Sequence, residues 1–197
     1  MINIGLFFGS FNPVHIGHTA IANYILEYSD LSEIWFIVSP QNPFKKETQL
    51  IDESIRLEMT KIAVVEEPRF KVSDIEFNLS KPSYTFNTLK TLSIQYAAYK
   101  FVLLMGSDNF LNIGKWQNAD KIIDNYDIIV YPRPGYSISE KDLSKNVRII
   151  NAPLLDISST MIRNSIAEGK KLTYFLHKGV FEYIKKRGLY HKLIVDS

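Results

Sequence analysis

"INIGLFFGSFNPVHIGH", residues 2–18, decides the fold. Residues 2–8 form a short, mostly apolar run stopped by Gly9, which is how a strand buried on both faces reads. From His15 to about Tyr28 the period changes, and Ile21, Tyr24, Ile25 and Tyr28 recur at helical spacing. In the loop between, Gly9 lets the backbone turn and approach a ligand, and Pro13 stiffens the loop. Strand, glycine loop and helix open a doubly wound sheet, whose ligands sit at the carboxyl ends of the strands. His15 and His18 are three apart, so they share a face of the helix. They fall in its first turn, where unpaired backbone N–H groups favour an anion. Gly17 removes a side chain beside them and leaves room for a nucleotide.

The rest of the chain continues the alternation. "EIWFIVS", 33–39, is a second apolar strand, and "PQNPFKKETQL", 40–50, is a proline-punctuated loop, long for a passive connector. Asp52 is placed to cap a helix over roughly 53–66, with Ile55, Met59, Ile62 and Ala63 on its buried face. "RFKVSDIEF", 69–77, reads as extended, and residues 84–98 as a helix. "KFVLLMG", 100–106, is a strand, followed by a polar segment and a short helix near 115–124. "YDIIVYPR", 126–133, and "VRIINA", 147–152, are further strands. Helices follow at 158–168 and about 178–187, with Gly188 after the C-cap of the last. This pattern predicts an α/β fold with a doubly wound, mostly parallel, Rossmann-like sheet and helices on both faces. One domain is expected over 1–197, with about 158–197 as a helical C-terminal appendage.

Composition removes several functions. The 197 residues are 46% hydrophobic and 22% charged, with a formal net charge of +2 and no cysteine. A disulfide framework, a thiolate nucleophile and a thiolate zinc site are therefore excluded. The charge is too small to argue for a nucleic-acid or membrane partner. The first apolar run is about half a membrane span and has no basic segment before it, so a cytoplasmic protein is expected. No carboxylate near the two histidines completes a metal site. The loop is neither G-x-G-x-x-G nor the P-loop pattern.

A second constellation lies far downstream. "DISSTMIR", 156–163, puts hydroxyls at Ser158, Ser159 and Thr160 at the start of a predicted helix. Ser158 is a good N-cap, and the turn offers hydroxyls and N–H groups to phosphate. Arg163 adds a fork-shaped cation one turn later. Together the two stretches resemble the nucleotidyltransferase superfamily. "GSFNPVHIGH" is similar to its (T/H)-x-G-H signature, and "ISSTMIR" matches every specified position of its second, I-S-S-T-x-I-R. That resemblance implies an ATP site formed by Gly9, Ser10, Phe11, His15, Gly17, His18, Arg133, Ile157, Ser158, Ser159, Thr160 and Arg163. Its catalytic residues would be His15, His18, Arg163 and Lys45, with Lys45 an electrostatic helper.

Over nearly its whole length the chain also resembles the bacterial nicotinate-mononucleotide adenylyltransferase family. "SPQNPFKK", "RLEM", "PSYTFNTL", "MGSDNF" with Trp116, "YPRPGY" and "VFEYIKKRGLY" carry the likeness. It implies transfer of AMP from ATP to nicotinate mononucleotide, giving deamido-NAD and pyrophosphate, with Mg2+ held mainly by the ATP phosphates. The acceptor would be held by Asn12, Lys45, Tyr84, Thr85, Asp108 and Trp116. Those residue types suit it. Trp116 offers a flat π-face to a pyridine ring. Asp108, after a strand end, can accept from ribose hydroxyls, and Tyr84–Thr85 open a helix start suited to a carboxylate or phosphate. Departures from the family pattern fall at Phe8, Ser10, Asn12, Phe44 and Asn87. Two other readings stand beside this one: the same chemistry on nicotinamide mononucleotide, and a non-catalytic nucleotide sensor.

Overall fold

The first strand, β1 (Ile2–Gly9), lies in the middle of the sheet and pairs in parallel with β2 (Glu33–Val38) on one side and β4 (Tyr99–Gly106) on the other. The structure is a computed structural model that describes residues 1–41, 50–139 and 143–191. Phe44, Lys45 and Lys46 lie outside the described residues. Six strands run in the order β3-β2-β1-β4-β5-β6, every pairing parallel, with β3 at Phe70–Ser73, β5 at Asp127–Tyr131 and β6 at Val147–Ile149. The chain winds outward from β1 to one edge, then returns to β4 and winds to the other. That reversal leaves a crevice above the carboxyl ends of β1 and β4.

Side-chain alternation along the strands splits the core in two. Phe7, Phe36, Val102, Leu104 and Ile129 face one side. They pack under α1 (Ile16–Glu27), α2 (Glu53–Val64), α6 (Ser159–Ala167) and α7 (Lys178–Arg187). Ile4, Leu6, Leu103, Met105 and Ile128 face the other, under α3 (Thr85–Gln95) and α5 (Ala119–Asn125). A single turn, α4 (Ser107–Phe110), follows β4 directly. Helices α6 and α7 bury Ile162, Ile166, Val180 and Ile184 in the same cluster as Phe36 and Met59. Among the described residues no helix is long and apolar enough to cross a membrane.

Several boundaries differ from the sequence reading, for physical reasons. The extended segment expected over 69–77 stops at Ser73 and becomes a 3₁₀ turn at Ile75–Asn78. The strand expected to reach 133 ends at Tyr131, because Pro132 has no N–H for a ladder. The strand expected over 147–152 stops at Ile149, and Ile150 and Ala152 continue into the core without it. The helix expected near 115–124 is two pieces, a 3₁₀ turn at Ile113–Lys115 and then α5, separated at Trp116. Gly188 is itself the C-cap of α7, with φ +59°, a left-handed conformation that glycine adopts without strain. On α2 the deepest residues are Arg56, Met59, Thr60 and Val64, while Ile55, Ile62 and Ala63 are half-buried.

Candidate active site

The loop after β1 is built around rings. Phe11 sits at φ +45°, a left-handed conformation that costs a bulky residue energy, and its side chain is buried against Phe7, Phe36 and His18. Gly9 makes this possible, since a Cβ there would stand 2.7 Å from the Phe11 ring. The glycine thus admits an aromatic side chain into the loop. Gly17 acts in the same way. A Cβ there would lie 3.0 Å from the His15 ring, so the space it opens is taken by an imidazole.

His15 is the N-cap of α1 rather than a residue of its first turn, and His18 is the third helical residue. Their rings stack with centroids 3.7 Å apart. The His15 backbone N–H donates to His18 Nδ1 at 3.2 Å. In the neutral ring this leaves the proton on Nε2. His15 is buried, and its pKa falls from 6.5 to about 4, first because burial disfavours the imidazolium and then because Arg133 repels it.

The hydroxyl-rich turn comes to this loop from the far end of the chain. Ser158 caps α6 by accepting from the Met161 N–H at 3.2 Å. The Ser159 hydroxyl donates to Pro13 O at 2.9 Å, and Arg163 Nη1 donates to Asn12 O at 2.8 Å. Ser159 and Thr160 carry N–H groups of the first helical turn, which an α-helix does not pair internally. All twelve residues expected at an ATP site line one cavity of about 550 Å3 at the carboxyl ends of β1 and β5. Arg163 is 7% exposed, with Nη2 3.2 Å from Thr160 Oγ1, and burial lowers its pKa. It fastens the turn to the loop while lending its charge to the cavity.

A second cavity of about 420 Å3 adjoins the first and shares Phe7, Phe8, Gly9, Asn109 and Tyr131 with it. Tyr84, Thr85 and Trp116 line it. The remaining acceptor residues are placed differently. Asn12 and Asp108 line the larger cavity, and Lys45 lies outside the described residues. Asp108 Oδ1 is buried without a hydrogen-bond partner and stands 4.0 Å from Arg133 Nε. Gly106 permits this approach, since a Cβ there would collide with Asp108 Oδ1 and the Arg133 side chain.

Two residues that build the site were given no role by the sequence. Arg56, 1% exposed, donates to Ser10 O at 2.6 Å, Ser39 O at 2.7 Å, Pro40 O at 2.9 Å and Ile51 O at 3.0 Å. It ties the glycine loop to both ends of the segment that carries Lys45. Its signal was an arginine in register with Met59 and Thr60 on the buried face of α2. Tyr190, buried beyond α7, donates its hydroxyl to Asn12 Oδ1 at 3.0 Å. Burial raises its pKa, so it remains a donor. Nothing in the sequence pointed to that pairing.

The family model described as cytidylyltransferase-like matches residues 6–165. The chain is 48% identical to a probable nicotinate-nucleotide adenylyltransferase of Cytophaga hutchinsonii, over 96% of this chain and 98% of that protein. It is 46% identical to a protein of the same description from Bacteroides thetaiotaomicron, over 94% of this chain and 92% of the other. Among solved structures, the Plasmodium falciparum nicotinic acid mononucleotide adenylyltransferase complexed with NaAD superposes with a TM-score of 0.83. It is 25% identical, covering 97% of this chain and 98% of that one.

Proposed function

The chain belongs to the cytidylyltransferase-like family, and from that premise we propose that it works as a nicotinate-nucleotide adenylyltransferase, moving AMP from ATP to nicotinate mononucleotide. The products are deamido-NAD and pyrophosphate. The observation that carries this reading is the meeting of two segments about 140 residues apart, the His15–His18 pair and the Ser158–Thr160 turn, around one cavity. The adjoining cavity, with Trp116 and the start of α3, suits a pyridine mononucleotide.

The chemistry asks little of the protein beyond position and charge. An oxygen of the acceptor's 5′-phosphate attacks the α-phosphorus in line, a new P–O bond forms, and the bond to the bridging oxygen breaks as pyrophosphate leaves. The nucleophile is already an anion near neutral pH, so no general base is needed. We assign the ATP phosphates to His15, His18, the N–H groups and hydroxyls of Ser158–Thr160, and the charge of Arg163. His18, with Nδ1 engaged by the loop, would meet phosphate through Nε2–H. Arg133 and its partner Asp108 flank the nucleotide side, and Tyr84, Thr85 and Trp116 flank the pyridine side. Lys45 is assigned to the same phosphates on the strength of the family resemblance.

The family uses a divalent cation with ATP, and Mg2+ is the ion we propose. The residues present fit an ion carried by phosphate and water rather than caged by protein. Among the described residues no group of three or more His, Asp or Glu is placed to hold a metal. Asp108 is the one carboxylate among the described residues lining the larger cavity, and its buried oxygen is the donor the chain has to offer. The cation would neutralise charge on the departing pyrophosphate. We take the protein to act in the cytoplasm on small nucleotides as a single nucleotidyltransferase domain.

The test is pyrophosphate release by His18→Ala. A loss of at least about tenfold in kcat, or 1.4 kcal/mol, is expected. A smaller loss removes His18 from the catalytic account. ATP binding by calorimetry without any turnover would favour a nucleotide sensor instead.

A further inference from the structure

Glu76 stands where a carboxylate is hard to keep. It lies in the 3₁₀ turn before α3, is 2% exposed, and lines the smaller cavity with Ser39, Ser83, Tyr84 and Thr85. The buried Thr88 hydroxyl donates to Glu76 Oε1 at 2.7 Å and lies 3.5 Å from Tyr84 O, so the carboxyl is linked to the start of α3. Oε2 is buried and receives no hydrogen bond of good geometry. The groups facing Glu76 are hydroxyls: Thr88 from α3, Ser83 from the segment before it, and Ser39 from the end of β2. The other ionisable side chains lining this cavity are Tyr84, Lys115 and Tyr131. Burial is the larger influence and holds the carboxyl above its ordinary range, with the three hydroxyls pulling part of the way back.

We propose that Glu76 decides which acceptor the smaller cavity takes. It is the one carboxyl among the described residues on that wall, joined to the helix start at which the pyridine substituent would dock. The inference rests on the acceptor reading given above. While Glu76 keeps its proton, the first turn of α3 presents positive potential to an acidic substituent. Once it ionises, two negative charges share a poorly solvated pocket and repel. An amide substituent carries no charge and is indifferent to that proton. Acceptor choice is thereby coupled to pH through one side chain that does not itself react.

The experiment compares the parent protein with Glu76→Gln for turnover of the acid and amide mononucleotides. It runs from about pH 6 to about pH 9, which spans the range of documented buried glutamates. The readout is the ratio of kcat/KM for acid to amide, in which ionisation of the shared 5′-phosphate and of ATP cancels. In the parent the ratio should fall by about tenfold or more as pH rises, through KM of the acid rather than kcat. In Glu76→Gln, which keeps the shape but cannot ionise, the ratio should stay flat. A flat parent ratio overturns the proposal, and so does a fall that Glu76→Gln reproduces. If the variant does not fold, the parent profile decides: a fall confined to KM of the acid supports the proposal, and any other profile overturns it. Absence of transfer to either acceptor overturns the adenylyl-transfer reading and this inference with it. Transfer at a pH-independent ratio overturns the role of Glu76 alone.

Discussion

At the scale of single residues, burial does more to the site than sequence spacing conveys. The histidine pair was legible because two imidazoles three apart after a glycine loop are an uncommon pattern. Their unequal environments were not, since nothing local shows that His15 is buried and half-exposed His18 is not. That inequality has a stability consequence. The unfolded chain takes up a proton at His15 below about pH 6.5, while the folded chain resists until about pH 4. The stability lost is therefore nil above pH 6.5, grows as pH falls through that window, and levels off below it. The magnitude is roughly 3 kcal/mol. Urea unfolding of the parent and His15→Gln at pH 7 and at pH 4.5 isolates this contribution from that of the carboxylates. The variant should lose less stability on acidification, and equal losses would refute it.

Elements were read more accurately in kind than in extent. The strands were visible as apolar runs, and the cap at Asp52 as an acidic residue before a periodic segment, where its side chain does accept from the Ser54 N–H at 2.8 Å. Errors came where side chains override the local pattern. Arg56 is an example, because a charged residue in a hydrophobic register looks like a fault until its four carbonyl partners are known. Helix α2 is in this sense a bracket for three loop segments as much as a cover for the sheet. Arg56→Met, which keeps bulk but removes every donor, should cost about 3 kcal/mol or more, because buried carbonyls lose their partners. Denaturant titration measures this, and a loss below about 1 kcal/mol would show that the loops hold without it. Glu76 stayed unread for a related reason: a lone glutamate in a polar stretch looks solvated, and only the packing of α3 removes it from water.

For the molecule as a whole, the fold class came from strand and helix alternation, and the site from the rule that ligands gather where strand order reverses. The partition into two adjoining cavities, which placed Asp108 and Asn12 beside the larger one, was not legible in this way. Long-range contacts decide that, and no short window contains them. The link from Tyr190 to Asn12 spans 178 positions. Tyr190→Phe should cost about 1 kcal/mol in stability. It should also raise KM for ATP several-fold with little change in kcat, as expected for a loop held less firmly. Initial-rate kinetics over an ATP series, with urea unfolding alongside, checks both, and an unaltered KM would mean that Arg163 and Ser159 suffice to hold the loop.

That same tether has a temporal side. Synthesis places the segment around Asn12 178 positions ahead of Tyr190, and chains fold from the amino end as they emerge. A polypeptide made as far as β6 would therefore have its sheet before it had a fully fastened nucleotide loop, and its full hold on ATP would come only once Tyr190 had emerged.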